Sequence, residues 1–334
     1  LNGIYHINDE FGQFSENVII KTNNYNIKSN NIDLDNKNDI IFLNSRSIIK
    51  SDSLTIEGDQ GFINKSKESI DLWDNTYIKS KEREVFSDSL SINEEKEIQL
   101  SGNTEIHQKE NLKIYCQNYF EKKGLSKFIG KPFIILSSQT SDLKIEGGDM
   151  KMFHNDSILH ISNNTYILSD SIQGKCNNST FDFKSELVTM LNKPVLWTEK
   201  NQIIGDTIYI FTKNETLDSI YIPTNSFIIS KENNDLFNQI KGNKLEGKFI
   251  KGNLYKLKLF GNTELKYFEF EENNESSGLN DIISNNIIIN FNENKINNIS
   301  FINNPQATYT PKNLFTKKSM LLEGFIDRFN EKKY

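Results

Sequence analysis

The sequence predicts an all-β fold, a solenoid-like stack of short, bent strands. Three observations predict it. A two-part motif recurs along nearly the whole chain. Apolar residues flank each motif centre at strand-like spacing. Ile and aromatic residues abound, whereas Ala, the best helix former, occurs once, at Ala307.

The first part, the D-type motif, has centres at Asn30, Asp59, Asp88, Gln117, Gly148, Lys175, Asp206, Asn243 and Asn285. A small residue precedes each centre: Ser29, Gly58, Ser87, Cys116, Gly147, Gly174, Gly205, Gly242 and Ser284. An apolar residue lies three positions upstream, as at Ile56, Val85 and Ile114, and usually another two positions downstream, as at Leu90 and Tyr119. The two flanking apolar residues are an odd number apart, so strict alternation would put them on opposite faces. A bulge at the small residue is the expected remedy.

The second part, the N-type motif, has centres at Asn17, Ser45, Asn75, Asn103, Lys131, Asn164, Lys193, Asn225, Asn262 and Asn304. Apolar residues lie three before and three after, as in Leu100 and Ile106, and Thr or Pro usually follows the centre. Here the separation is even, so a smooth bend is expected to suffice. The two series interleave without a miss. Each motif therefore reads as one V-shaped strand, giving about nineteen, with both arms aiming apolar residues into a shared crease. Polar turns such as Lys213-Asn214-Glu215 favour antiparallel hairpins between them. The stack is expected to run continuously over residues 1–312. Residues 313–334 form a tail, a short helix or cap near Leu314–Phe329, where Leu321, Leu322 and Phe325 cluster. Strands near Phe14–Ile20 and Phe301–Ala307 should be the open edges.

Composition narrows the function. A net charge of −6 argues against a general nucleic-acid binder. No apolar run is long enough for a membrane-spanning helix. Leu1 carries no initiator Met or signal-peptide pattern, so the chain is expected to be a processed product or a fragment. Cys116 and Cys176 lie in nearby positions two repeats apart, too far for a disulfide, and are expected as free thiols. The four His residues follow no metal-ligand spacing. Asp59, Asp88 and Asp206 share their repeat position with Asn, Gln, Gly and Lys, which points to bend formation rather than acid–base chemistry. No cofactor is implied and no enzyme is expected.

Several segments carry a family resemblance. Residues 192–197 read NKPVLW, 205–210 GDTIYI, 238–249 NQIKGNKLEGKF, 261–267 GNTELKY and 321–325 LLEGF. In this order the chain, most strongly from about residue 140 onward, resembles the C-terminal part of the long OstA/LptA-like lipopolysaccharide-transport proteins. The length and the expanded loops after Asn225 depart from the family's short members. The resemblance implies an elongated twisted β-jellyroll, or β-taco, in the periplasm of a Gram-negative cell. Its apolar crease would carry the lipid A acyl chains of lipopolysaccharide toward the outer membrane. Partners would be other lipopolysaccharide-transport components, joined through β-edges, and further copies of the chain, head to tail.

The crease residues expected on this basis are Ile114, Tyr119, Phe128, Ile134, Ile145, Met150, Met152, Ile161, Ile167, Ile203, Ile208 and Ile222. The residues alone leave an alternative open: a closed structural or adhesive β-solenoid at the cell surface, whose apolar positions simply form its core.

Overall fold

A computed structural model describes residues 2–333, apart from 23, 109–110, 138–141, 170–171, 199, 214–215, 233–235, 251–252, 272–275, 293–294 and 317–318. Its regular structure is β-strand, with two single 3₁₀ turns, Lys312–Leu314 and Phe329–Glu331, among the described residues. The strands fall into two compact units, residues 1–155 and 156–334. The first holds ten bent strands and a short leading strand, Asn2–His6; the second holds nine bent strands. Asn214 and Glu215 lie outside the described residues, but the strands flanking them, Thr207–Lys213 and Thr216–Ile222, pair antiparallel.

Each bent strand contributes one arm to each of two walls. The first wall collects the arms that precede N-type centres and follow D-type centres; the second wall collects the others. Neighbouring strands pair antiparallel in both walls and diverge at the bend. In the pair Ile98–Gln108 with Leu112–Lys122, Leu100 faces Tyr119 in the first wall and Ile106 faces Ile114 in the second.

The bulge sits on the opposite strand from the one expected. The ladder slips between Ser101 and Thr104, so the N-type strand carries the extra residue. The same slip recurs at Ser15/Val18, Trp73/Thr76 and Phe260/Thr263. Every N-type centre except Arg46 takes a left-handed angle, and so does the residue before it in most copies, as at Asp74-Asn75, Asn163-Asn164 and Asn303-Asn304. No D-type centre does so. Asn and Gly tolerate this region best, which explains why the N-type centre favours Asn.

The small residue of the D-type motif has another purpose. It lies in the inner corner where the walls converge, opposite the residue that follows an N-type centre: Thr104 faces Cys116, Thr165 faces Cys176 and Ser226 faces Gly242. Buried hydroxyls there bond to one another or to the backbone. Ser47 Oγ donates to Ser29 Oγ at 2.8 Å, and Thr76 Oγ1 donates to the Ser87 carbonyl at 2.8 Å.

On the outside of the corner, the D-type side chain reaches the next N-type centre. The Asp59 carboxylate accepts from Asn75 Nδ2 at 2.7 Å, and the Asp206 carboxylate from Asn225 Nδ2 at 2.8 Å. The Asn75 amide, then Arg46, hold the Asp59 carboxyl below the usual carboxylate range. At Gly102, where φ is +78°, a Cβ would fall 2.2 Å from Asp88 Oδ2, so a side chain there would push the Asp88 carboxylate aside.

Two motif copies shift register. Opposite Gly58 stands Ser47, so the second N-type centre is Arg46, and Leu43 and Ile49 face inward in place of Phe42 and Ile48. Likewise Cys176, not Gly174, occupies the sixth corner, so that centre is Asn177. Its N–H donates to the Asn192 carbonyl at 3.2 Å, as Asp59 does to Asp74 and Asn243 to Gly261, each at 3.0 Å. Gly174 and Ser179 stand at the flanking inner positions, and Leu196 and Met190 fill the space they leave.

The edges also differ in part. Asn2–His6 pairs with the first arm of Phe11–Lys21, covering Phe14, so in the first wall the exposed edge is Asn2–His6. Lys295–Ile302 and Gln306–Pro311, which flank the last bend, pair with Ser276–Asn292.

Candidate functional site

The inner face of the V is the candidate site, and its residues form rows in register. In residues 1–155, the second wall carries Ile20, Ile27, Ile49, Ile56, Ile78, Val85, Ile106, Ile114, Ile134 and Ile145, each opposite the next. The facing row of the first wall runs Phe14, Ile32, Leu43, Gly61, Leu72, Leu90, Leu100, Tyr119, Phe128 and Met150. Branched aliphatic residues suit both the pleat and the dry face.

Residues 156–334 repeat the arrangement. Ile167, Leu196, Ile203, Ile228 and Ile240 line the second wall, and Ile161, Met190, Ile208, Ile222 and Leu245 the first. All twelve residues singled out in the sequence therefore stand on inner faces. Eleven are buried, with Ile145, Ile208 and Ile222 at 0% exposure. Met152, one step nearer the mouth of the V, is half-buried and pairs with Ser126.

One stretch of the mouth is polar. Arg83, on the second wall, reaches across to the first. Its Nη2 donates to Glu121 Oε2 at 2.8 Å and its Nη1 to the Tyr119 hydroxyl at 3.3 Å. The Tyr119 hydroxyl also donates to Glu121 at 2.8 Å and lies 2.9 Å from Ser126 Oγ, which lies 2.8 Å from His154 Nε2. Burial pushes the Tyr119 phenol well up. Burial opposes ionisation of Glu121, but the Arg83 charge and the hydrogen bonds outweigh it and hold the carboxyl below its usual range. Removing one member of a fully buried ion pair costs about 3–5 kcal/mol. This pair is about a quarter exposed, 28% and 27%, and so lies at or below the lower end of that range.

The pair was legible as a double exception. Five positions before successive D-type centres come Tyr25, Leu54, Arg83, Leu112 and Leu143. Four positions after them come Leu34, Ile63, Ile92, Glu121 and Met152. One charge breaks each apolar column, in neighbouring repeats.

The outer face of the second wall in residues 156–334 carries a second feature. The C-terminal tail crosses it as a strap. Leu322 packs with Phe227, Ile229 and Phe237, and Phe325 and Phe329 border them. Gln239 Nε2 donates to the Met320 carbonyl while its Oε1 accepts from Leu322 N–H, both at 2.8 Å. Gln202 does the same with the Ile326 carbonyl and Arg328 N–H, both at 2.7 Å. Lys333 N–H donates to Gln173 Oε1 at 3.0 Å. Gln173, Gln202 and Gln239 sit four positions before the D-type centres Asn177, Asp206 and Asn243. Glu331 bonds Arg328 and Lys175, which hold its carboxyl down to about 2 against the opposing effect of burial. Beside the strap, a groove of about 1490 Å³ follows the corner, lined by residues such as Asn192, Lys193, Asp206, Asn243 and Glu323.

No family model matches the chain, and no curated protein matches it. Among solved structures, LptH is similar over 33% of this chain and 82% of its own, with 11% identity and a TM-score of 0.31. It is the LptA-homologous periplasmic component of the lipopolysaccharide transport device of Pseudomonas aeruginosa. The WD40 domain of SCAP from fission yeast aligns over 89% of this chain and 88% of its own, with 7% identity and a TM-score of 0.14. Likenesses of this size carry no argument about function. The all-β fold rests on the strand pairing itself.

Cys116 and Cys176 are free and buried. Burial pushes their thiols up to about 12 and about 11.

Proposed function

We propose that the chain is a non-enzymatic carrier whose crease takes the acyl chains of an amphiphile, namely lipopolysaccharide in transit through the periplasm. The observation that carries this reading is the register of the inner rows. Ile106, Ile114, Ile134 and Ile145 face Leu100, Tyr119, Phe128 and Met150 without a break, while Lys113, Lys127, Lys144 and Lys151 point outward. Acyl chains need such a dry, continuous surface, and each buried methylene contributes about 0.8 kcal/mol. The ordered sequence words of residues 192–325 support the lipopolysaccharide assignment. Exposed strand edges offer a route to other transport components or to further copies, by strand addition.

One observation favours a second reading. The inner residues are already buried against the facing wall, so the same rows serve as the core of a closed structural solenoid at the cell surface. The carrier differs in that its walls part at the mouth to admit lipid. A photoreactive residue in place of Phe128 or Ile161 is expected to crosslink to lipopolysaccharide, and one in place of Lys127 or Lys144 is not. No inner-face crosslink from a folded protein, or equal labelling of both faces, would select the closed solenoid.

A further inference from the structure

We infer that Arg83 is the anchoring point for a phosphate-bearing headgroup at the mouth of the crease, with the Glu121 carboxylate occupying that place in the unliganded chain. The inference rests on the carrier reading. Among the described residues of 2–155, Arg83 and Glu121 are the only charged side chains at inner positions of the bent strands. They stand on opposite walls. The ion pair at 2.8 Å therefore spans the V at its mouth, where a headgroup would lie if its chains filled the rows beneath.

The surroundings fit an anion. A guanidinium offers paired donors that match phosphate oxygens, and low local polarity strengthens such bonds. The Tyr119 hydroxyl, already 3.3 Å from Arg83 Nη1, is a third donor. Ser126 and His154 extend the polar chain along the mouth. Just below lie the Tyr119 and Phe128 rings, 5.2 Å apart, at the start of the apolar rows. Polar donors at the rim and apolar side chains beneath are the two halves of an amphiphile's complement. Both charged groups are about a quarter exposed, so an anion can reach Arg83 from solvent while Glu121 swings out.

Two amphiphiles with the same chain test this: dodecyl phosphate and dodecyl maltoside, titrated below their micelle concentrations into the full chain by calorimetry. The native protein is expected to bind both, the phosphate more tightly. Glu121→Gln frees Arg83 and should tighten dodecyl phosphate by about fivefold to tenfold. Arg83→Gln should weaken it by about tenfold or more, and Arg83→Lys should restore part of the loss. Maltoside binding should stay within about twofold throughout, because its head carries no charge. Inorganic phosphate at millimolar concentration should not compete, which separates a lipid headgroup from a free-anion site. Arg83→Met/Glu121→Leu removes both charges without leaving either unpaired, so it should fold, bind maltoside and lose the preference for phosphate. Unchanged dodecyl phosphate binding in Arg83→Gln, with maltoside binding intact, would overturn the assignment of Arg83 alone. If neither amphiphile binds any folded variant, the carrier reading fails and this inference fails with it.

Discussion

The outer face of the second wall differs sharply between residues 1–155 and residues 156–334, although the inner face follows one pattern in both. Four positions after N-type centres, the first unit presents Lys50, Lys79 and His107, none of them buried. The second presents Trp197, Ile229 and Lys266, which are 1%, 0% and 6% exposed. Four positions before D-type centres, the first unit has Thr55, Glu84 and Lys113, and the second has Gln173, Gln202 and Gln239. The repeat fixes what a strand does inside. What the outside does depends on whether another segment covers it, and here that segment is the tail.

Removing residues 313–334 should have the largest effect. It uncovers Phe227, Ile229 and Phe237, each worth about 1.5–3 kcal/mol when fully buried. Urea denaturation followed by hydrogen exchange should show residues 156–334 destabilised and residues 1–155 unchanged. A uniform loss of protection across both would break the comparison.

A smaller loss is expected from Gln202→Ala or Gln239→Ala. Each leaves a strap N–H and a strap carbonyl without their partners, a cost of about 1–3 kcal/mol. The corresponding Lys113→Ala in the first unit should stay within about 0.5 kcal/mol. Equal effects in paired denaturation curves would mean that the glutamines do not hold the strap.

Acid should loosen the strap by about 1–2 kcal/mol. The Glu331 carboxyl is held at about 2, below the 4.5 of a free glutamate. Its contribution is therefore complete above pH 4.5 and is lost as the pH falls toward 2. Glu331→Gln should remove this segment of the pH–stability curve for residues 156–334. A Glu331→Gln curve with the same acid slope as the native one would count against the ion pairs.

The smallest effect concerns the thiols, which sharpen the comparison by behaving alike. At pH 8, Cys116 and Cys176 should resist iodoacetamide in the folded chain, because burial keeps both thiols protonated and shielded. Rapid labelling of Cys176 alone would reveal local opening of the second unit.

The inner architecture was readable because alternation and small corner residues are local signals. It failed where those signals were ambiguous. Ile48 and Ile49 are adjacent and equally apolar, so only the pairing of Ser47 with Gly58 decides which faces inward. Around Asn177 the inner positions are Gly174 and Ser179, whose space is filled by side chains from neighbouring strands. The bulge was assigned to the wrong strand because both motifs hold Gly-Asn or Gly-Asp pairs, and backbone handedness is not written in composition. The strap left a faint trace. Its three glutamines lie 29 and 37 residues apart at one repeat position, but their partners lie in a tail with no period of its own. Arg83 and Glu121 were equally visible as exceptions, yet their meeting across the V depends on both walls closing.

The corner contacts have a consequence for how such a chain can grow. Asp59 with Asn75 and Asp206 with Asn225 tie each bend to the next, so an inserted residue is poorly tolerated there. The hairpin ends are tied as well, as Lys65 N–H is to the Asp39 carbonyl and Lys96 Nζ to Glu68, each at 2.8 Å, yet it is there that the strands vary in length. The longest strands obey this rule: Asn253–Phe270 spans 18 residues around its bend, whereas Ile98–Gln108 spans 11. Each arm gains three or four residues, which is roughly 10–13 Å of extra depth. Lengthening thus proceeds outward from a fixed spine, and the depth of the V at each repeat is set by the length of its hairpins rather than by the number of repeats.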